Sequence, residues 1–252
     1  MDKELLEYNR KGIFPLPGET EEIYRARAKS MPTFADPGIS IIEKLYDIKP
    51  SWVPVKYSNE RLHFWEGAAS FAEEDKISIE LRREFATHAR YLRFWKKEDI
   101  LAHEYVHAVR FPLESEKYEE FFAYFLSFYH HVPVRAFLGP LFLADYEVKI
   151  FLLTLLLPLM VLLFSPSHFM MALVPFCAIF LGATVRLALR WTRWCATVKK
   201  VGPALMMRLL DDEIDQFSKM DEGAIAHAIE EKKKSSFRWQ LLAAAYYPHK
   251  NE

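Results

Sequence analysis

Residues 97–129 read KEDILAHEYVHAVRFPLESEKYEEFFAYFLSFY, and this stretch decides the architecture of the chain. At its centre lies His103-Glu104-Tyr105-Val106-His107, an HExxH pattern. Ile100, Leu101 and Ala102 precede it and Ala108 and Val109 follow, so the apolar flanks predict a largely buried helix over Lys96–Val109. Residues four apart on a helix share a face. The two imidazoles can therefore grip one metal ion, with Glu104 beside it to take a proton from a bound water. Two histidines and a glutamate in a buried helix are costly without partners, and a shared metal ion is the simplest partner. Zinc in such a setting lowers the pKa of its water and polarises a carbonyl, while the carboxylate acts as general base.

A catalytic zinc needs a third protein ligand and one open position. Pro112 marks a loop, and a second helix is expected from Ser115 to His130, with Ser115 near its cap and Pro133 ending it. Glu116, Glu119 and Glu120 are the ligand candidates on it. Glu119 and Glu120 differ by ~100° around the axis, so only one of them is expected to point at the metal. Ala123 shares the face of Glu120 and permits close helix approach, which favours Glu120. His131 shares that face but lies ~16 Å along the axis, too far for the same ion. His130 and His131 are read instead as a solvated helix end.

ILAHEYVHAV followed by EEFFAYFLS resembles the gluzincin group of zinc metallopeptidases. The resemblance covers about Ser51–Tyr129. In that group HExxH supplies two ligands, and a Glu on a following helix, commonly in a Glu-x-x-Ala context, supplies the third. Glu120-Phe121-Phe122-Ala123 matches that context, so the resemblance implies His103, His107 and Glu120 as ligands and zinc as cofactor. It also implies a zincin fold, whose edge strand holds extended substrate by main-chain pairing. Tyr124 stands where membrane members often carry Asp. A donor to the oxyanion is also required. Tyr124, Tyr118, Arg110 and His130 are the candidates, with Tyr124 taken as the catalytic one.

Upstream of the motif, SWVPVKY, RLHFW, AASFA and ISIEL between residues 52 and 85 are short, β-branched or aromatic, and broken at Ser58-Asn59 and Gly67. They predict a small antiparallel sheet of three or four strands. Residues 1–50 read as helices and loops, with a helix start at Thr20. Helical character resumes from residue 86. Downstream, residues 136–144 are apolar enough to lie at a membrane interface. Ala204–Met220, Glu222–Lys234 and Phe237–Tyr247 form three expected helices.

Averages conceal the most unusual segment. The 252 residues carry a formal charge of −1, are 51% hydrophobic and contain two cysteines. These values exclude wholesale disorder, a disulfide framework and a nucleic-acid binder held by gross positive charge. Residues 1–147 hold 20 basic and 25 acidic side chains, whereas residues 150–185 hold none of either. That uncharged run splits at Ser165-Pro166-Ser167-His168 into Ile150–Phe164 and Phe169–Val185. Each half gives roughly 24 Å of helix, and a further turn brings it close to the ~30 Å hydrocarbon thickness. A membrane hairpin follows as the expectation, either spanning or re-entrant. Arg186, Arg190, Arg193, Lys199 and Lys200 come directly after it, with Trp191 and Trp194 among them. Basic flanks favour the cytoplasmic side and Trp the interface, so the rest of the chain is expected in the cytoplasm. The N-terminus shows no apolar region of a cleavable signal peptide.

The expected class is thus α+β. A helical and loop segment (1–50) precedes a compact zincin-like catalytic domain (51–147), a transmembrane hairpin (148–187) and a cytoplasmic helical segment (188–252). The expected activity is zinc-dependent peptide hydrolysis, more endopeptidase than exopeptidase. A peptide or protein is the substrate, the lipid bilayer is the other partner, and nucleic acid is not one. The competing reading is a non-enzymatic membrane adaptor with a structural or vestigial metal site. Intramembrane proteolysis fits less well, because HExxH lies in a polar region 43 residues before the uncharged run begins.

Overall fold

The computed structural model describes residues 1–34, 38–64, 66–73, 76–91, 95–129, 139–141 and 145–247. Three helices open the chain: α1 (Lys3–Arg10), α2 (Glu21–Ser30) and α3 (Ser40–Tyr46). Thr20 caps α2, its hydroxyl accepting from the Ile23 amide. A three-stranded sheet follows, β1 (Val55–Tyr57), β2 (Ala68–Glu73) and β3 (Lys76–Leu81), in the order β1-β3-β2. Arg90–Tyr91 (β4) and Trp95–Lys96 (β5) form a separate two-stranded ribbon that leads into α4 (Lys97–Arg110). After a 3-10 turn at Phe111–Leu113 comes α5 (Glu119–Tyr129).

The sheet differs from expectation in two ways. It is mixed, because β1 runs parallel to β3 and only β2 is antiparallel to it. The described part of RLHFW is not a strand but a turn, closed by the Glu66 amide donating to the His63 carbonyl. Helix likewise does not begin at residue 86, since the ribbon separates the Arg83–Ala86 turn from α4.

Pleat alternation sets the inner face of the sheet. Ile77, Ile79 and Leu81 of β3 are buried, and their partners across the ladder are Ala72, Ser70 and Ala68. The edge strand thus turns three small side chains toward the same face as three large aliphatic ones. At its start Gly67 meets α4 so closely that an added Cβ would lie 2.4 Å from Ile100 Cδ1.

Helix α6 (Asp145–Phe164) and α7 (Phe169–Val201) are joined by a 3-10 turn at Pro166–His168 and pack together. The expected break at Ser165–His168 matches this junction. Among the described residues α7 is the one helix long and apolar enough to cross a membrane. Helix α7 continues without a break past Leu187, the expected end of the hairpin, to Val201. Its last turns are buried at Leu187, Trp194, Thr197 and Val201.

That extension docks the apolar pair onto the rest of the chain. Trp191 stacks on Phe121 with ring centroids 6.1 Å apart, and Trp194 packs against Phe122 and Phe125. Both tryptophans therefore serve the packing of α5. Two members of the basic run are also engaged: Arg193 pairs with Asp215, and Lys200 donates to the carbonyls of Phe217, Ser218 and Met220.

The C-terminal region comprises α8 (Pro203–Met206), α9 (Asp211–Lys219), α10 (Glu222–Ser235) and α11 (Phe237–Tyr246). The single helix expected over Ala204–Met220 is divided at Met207–Leu210. Buried Arg208 explains the division. Its guanidinium donates to Asn9 and to the carbonyls of Tyr46, Ala204 and Asp47, tying α1, α3 and α8 together. Glu213 meets Arg238 of α11 in a second buried pair, at 2.7 Å. Leu5, Tyr24, Leu45, Val106, Phe121, Trp194, Ile214 and Leu242 belong to one hydrophobic core, so both terminal segments are integral to the unit that carries α4.

Candidate metal centre

Helix α4 brings acidic residues Glu98 and Asp99 to its first turn and His107 and Arg110 to its last, complementing the helix dipole. Its buried face carries Leu101, Tyr105, Val106 and Val109. The remaining face presents His103 and His107 to α5. Their Nε2 atoms lie 3.1 Å apart. Glu120 Oε1 is 3.5 Å from His107 Nε2, and Glu120 Oε2 is 3.8 Å from His103 Nε2. These three residues form a group that can hold a metal ion, their donor atoms all within 4.8 Å of one another. Ligands at ~2.0–2.1 Å around a tetrahedral zinc are separated by ~3.3 Å, so the observed spacings fit that ion. Ala123 is buried beneath Glu120, as close helix approach requires.

Glu119 does not point away, as the expectation that only one neighbour faces α4 had it. Its Oε1 lies 2.9 Å from His107 Nδ1. The two adjacent carboxylates thus divide the labour, one on the far nitrogen of the imidazole and one among the converging donors. A carboxylate on the non-ligating nitrogen fixes the ring and its tautomer. Burial works against a charge on His107. The Glu119 hydrogen bond and the charges of Glu120 and Glu104 outweigh it and raise the pKa to about 9.

Glu104 is 9% exposed, and its Oε2 accepts from Ser70 Oγ at 2.8 Å. Burial raises its pKa above the usual carboxylate range, against the opposing pull of His107 and Ser70. Ser70 escaped the sequence reading, although its place between Ala68 and Ala72 on the inward face of a strand was a usable signal. Glu116, the remaining acidic candidate, is not in the converging group.

Two cavities lie along the groove between α4 and β2. One, of about 210 Å³, is lined by Gly67, Ala68, Trp95, Ile100 and Tyr124 and opens beside His103 and Glu104. The other, of about 180 Å³, is lined by Ser70, Phe71, Ala72, Ile77 and Phe111 beside His107. His103 thus lines the first cavity and His107 the second. Strand β2 has β3 on one side and, among the described residues, no strand on the other.

The oxyanion-donor candidates separate cleanly. Tyr124 lines the first cavity with its ring 4.7 Å from that of His103. Tyr118 is buried and donates to Asp215 at 2.5 Å. Arg110 is buried too, donating to the carbonyls of Met207 and Leu209 at 2.7 and 3.2 Å and lying over the Phe122 ring. Burial lowers its pKa to about 10, against the raising charges of Asp211 and Glu119. Neither Tyr118 nor Arg110 faces the cleft. His130, His131 and Pro133 lie outside the described residues, as does most of 136–144.

The start of α5 differs from the expected cap. Ser115 lies before the helix, where its hydroxyl accepts from the Asp211 amide, and the Asp211 carboxylate accepts from the amides of Lys117 and Tyr118. The segment leading into Glu119 and Glu120 is therefore held by α9. No family model, curated protein or solved structure matches the chain.

Proposed function

We propose that the chain is a membrane-anchored zinc metallopeptidase of the gluzincin type, with a zincin-like catalytic unit, that hydrolyses peptide bonds internally. The observation that carries the reading is the convergence of His103, His107 and Glu120 beside a buried Glu104, with a cavity next to each histidine. His103, His107 and Glu120 would hold the metal. When bound, zinc supplies a nucleophilic water at neutral pH and polarises the scissile carbonyl.

The protein's own groups do the rest. Glu104 accepts the proton of the attacking water and returns it to the leaving amine. Ser70 holds one of its oxygens, which leaves the other for that proton. Glu119 fixes the His107 ring. The Tyr124 hydroxyl donates to the developing oxyanion. The unpaired edge of β2 takes an extended substrate by main-chain hydrogen bonds. A buried base next to a substrate-sized cavity supports a catalytic role over a purely structural metal site, which needs neither.

Anchoring rests on the exposed apolar surface of α6 and α7. Leu153, Leu163, Phe164, Met170, Met171 and Leu181 are each more than half exposed, a cost in water that lipid removes. The two helices form the anchor as a hairpin, and the basic residues after it favour a cytoplasmic catalytic unit.

The test is metal dependence. The purified full chain should bind one zinc, cleave a peptide, lose cleavage to a chelator and regain it with zinc. His103→Ala protein that retains both zinc and cleavage would sink the proposal.

A further inference from the structure

The cavity beside His103 has an uneven chemistry. Its walls are the flat ring of Trp95, the Ile100 side chain and the Tyr124 ring. Besides Glu104, the charged group among its described lining residues is Glu66, and no Lys or Arg is among them. Arg82 lies nearby in the fold, but its guanidinium is engaged by main-chain carbonyls. It donates to the carbonyls of Glu66 and His63 and lies over the Tyr91 ring. The Glu66 carboxylate is held in place by its own turn, with Oε2 accepting from the His63 amide at 2.8 Å. It is near enough to Glu104 for its charge to add to the upward pull that burial exerts on that carboxyl. In the second cavity Phe71, Ile77 and Phe111 stand beside Glu119, whose carboxylate is engaged with His107 Nδ1. The two cavities thus differ in the engagement of their acids, since Glu119 is bonded to a histidine of the metal group whereas Glu66 is bonded to a backbone amide.

We propose that Glu66 makes the cavity beside His103 a subsite for a cationic side chain, so that the substrate class is peptides with Lys or Arg next to the bond to be cut. The inference rests on the peptidase reading. The aliphatic stem of such a residue lies along Trp95 and Ile100, and its charged end meets Glu66. An aromatic wall suits the cation as well. A free N-terminal amine offers the same chemistry. A side chain is favoured, because a second cavity lies beside His107 and gives room for residues on the other side of the bond.

The experiment uses the full chain in detergent, loaded with zinc and carrying Glu104→Gln so that peptides bind without turnover. A single Lys is moved through an N-acetylated, otherwise uncharged fluorescent peptide, and each form is compared with its Gln counterpart. One Lys position should bind roughly tenfold tighter than Gln, with the gain falling at high salt. Adding Glu66→Gln should bring that ratio near one, and Glu66→Lys should shift preference to a Glu peptide. No favoured Lys position, or a Lys gain that survives Glu66→Gln, would overturn the inference. So would a charge gain confined to unacetylated peptides, which would assign the cavity to an N-terminus. The peptide comparison in the Glu104→Gln chain with Glu66 intact stands even if a Glu66 variant does not fold. Cleavage of the same peptides by the Glu104 protein separates the two claims. Charge-selective binding without cleavage defeats the peptidase reading alone, and cleavage without charge preference defeats the Glu66 subsite alone.

Discussion

Glu119 Oε1 lies 2.9 Å from His107 Nδ1, which turns the other ring nitrogen of His107 toward His103 and Glu120. A neighbouring pair of carboxylates thereby acquires two different tasks on one imidazole. Removing the orienting partner of a metal-bound histidine typically weakens metal affinity by about 10- to 100-fold. Glu119→Gln should therefore weaken zinc binding by that order while leaving a loadable site. Glu120→Gln should cost more, because a ligand itself is lost. Titration against a competing zinc chelator reads both. Loss of zinc in Glu119→Gln with retention in Glu120→Gln would reverse the assignment.

Ser70 links the edge strand to the base. Its hydroxyl reaches Glu104 from β2, so the edge strand and the Glu104 carboxylate are held in register. Ser70→Ala should retain zinc and slow peptide cleavage roughly tenfold, an effect within the range general-base catalysis supplies. The loss should appear in kcat more than in KM. An unchanged kcat would remove Ser70 from the mechanism.

Arg110 follows the motif by three residues, yet it faces the C-terminal region. With its guanidinium on the carbonyls of Met207 and Leu209, Arg110→Ala leaves buried acceptors unpaired. The expected cost is about 2–3 kcal/mol of stability, read by denaturant unfolding. Zinc content and turnover per folded chain should hold. A stable but slow variant would return Arg110 to the cleft.

The Glu213–Arg238 pair sets an acid limit. Burial pushes the Glu213 carboxyl upward, but the hydrogen bonds and charge of Arg238 outweigh it and hold the pKa below the ordinary 4.5. A carboxyl depressed on folding stabilises the fold above its unfolded pKa, and that contribution is lost as pH falls through the folded value. Glu213→Gln should cost about 3–5 kcal/mol near neutral pH, because Arg238 stays buried without its counter-charge. Its melting temperature should also fall less steeply than that of the wild type below pH 4.5. Parallel profiles would show that the pair does not control acid unfolding.

Local rules made α4, the break between α6 and α7 and the start of α2 legible in the sequence, because periodicity, capping and charge depletion act over a few residues. The convergence of His103, His107 and Glu120 was legible because four-residue spacing fixes the two histidines on one face, and Ala123 pointed to Glu120. What escaped depends on chain distant in sequence. β1 joins β3 in parallel across some twenty intervening residues. Asp211 caps the approach to α5 from nearly a hundred residues away. Trp191 and Trp194 look like interfacial aromatics by composition, and only the position of α5 gives them packing partners. The helix-face rule that set Glu119 behind Glu120 ignores the reach of a glutamate side chain, which lets both face His107.

The most direct measurement is the rate at which zinc-loaded full chain and its Glu104→Gln variant cleave one quenched fluorescent peptide, with zinc content determined on the same samples. Equal zinc in both, with cleavage at least about a hundredfold slower in the variant, is the expected result for a base that takes the proton of the attacking water. Equal rates at equal zinc, or no cleavage by a wild-type chain holding one zinc, would refute the peptidase assignment.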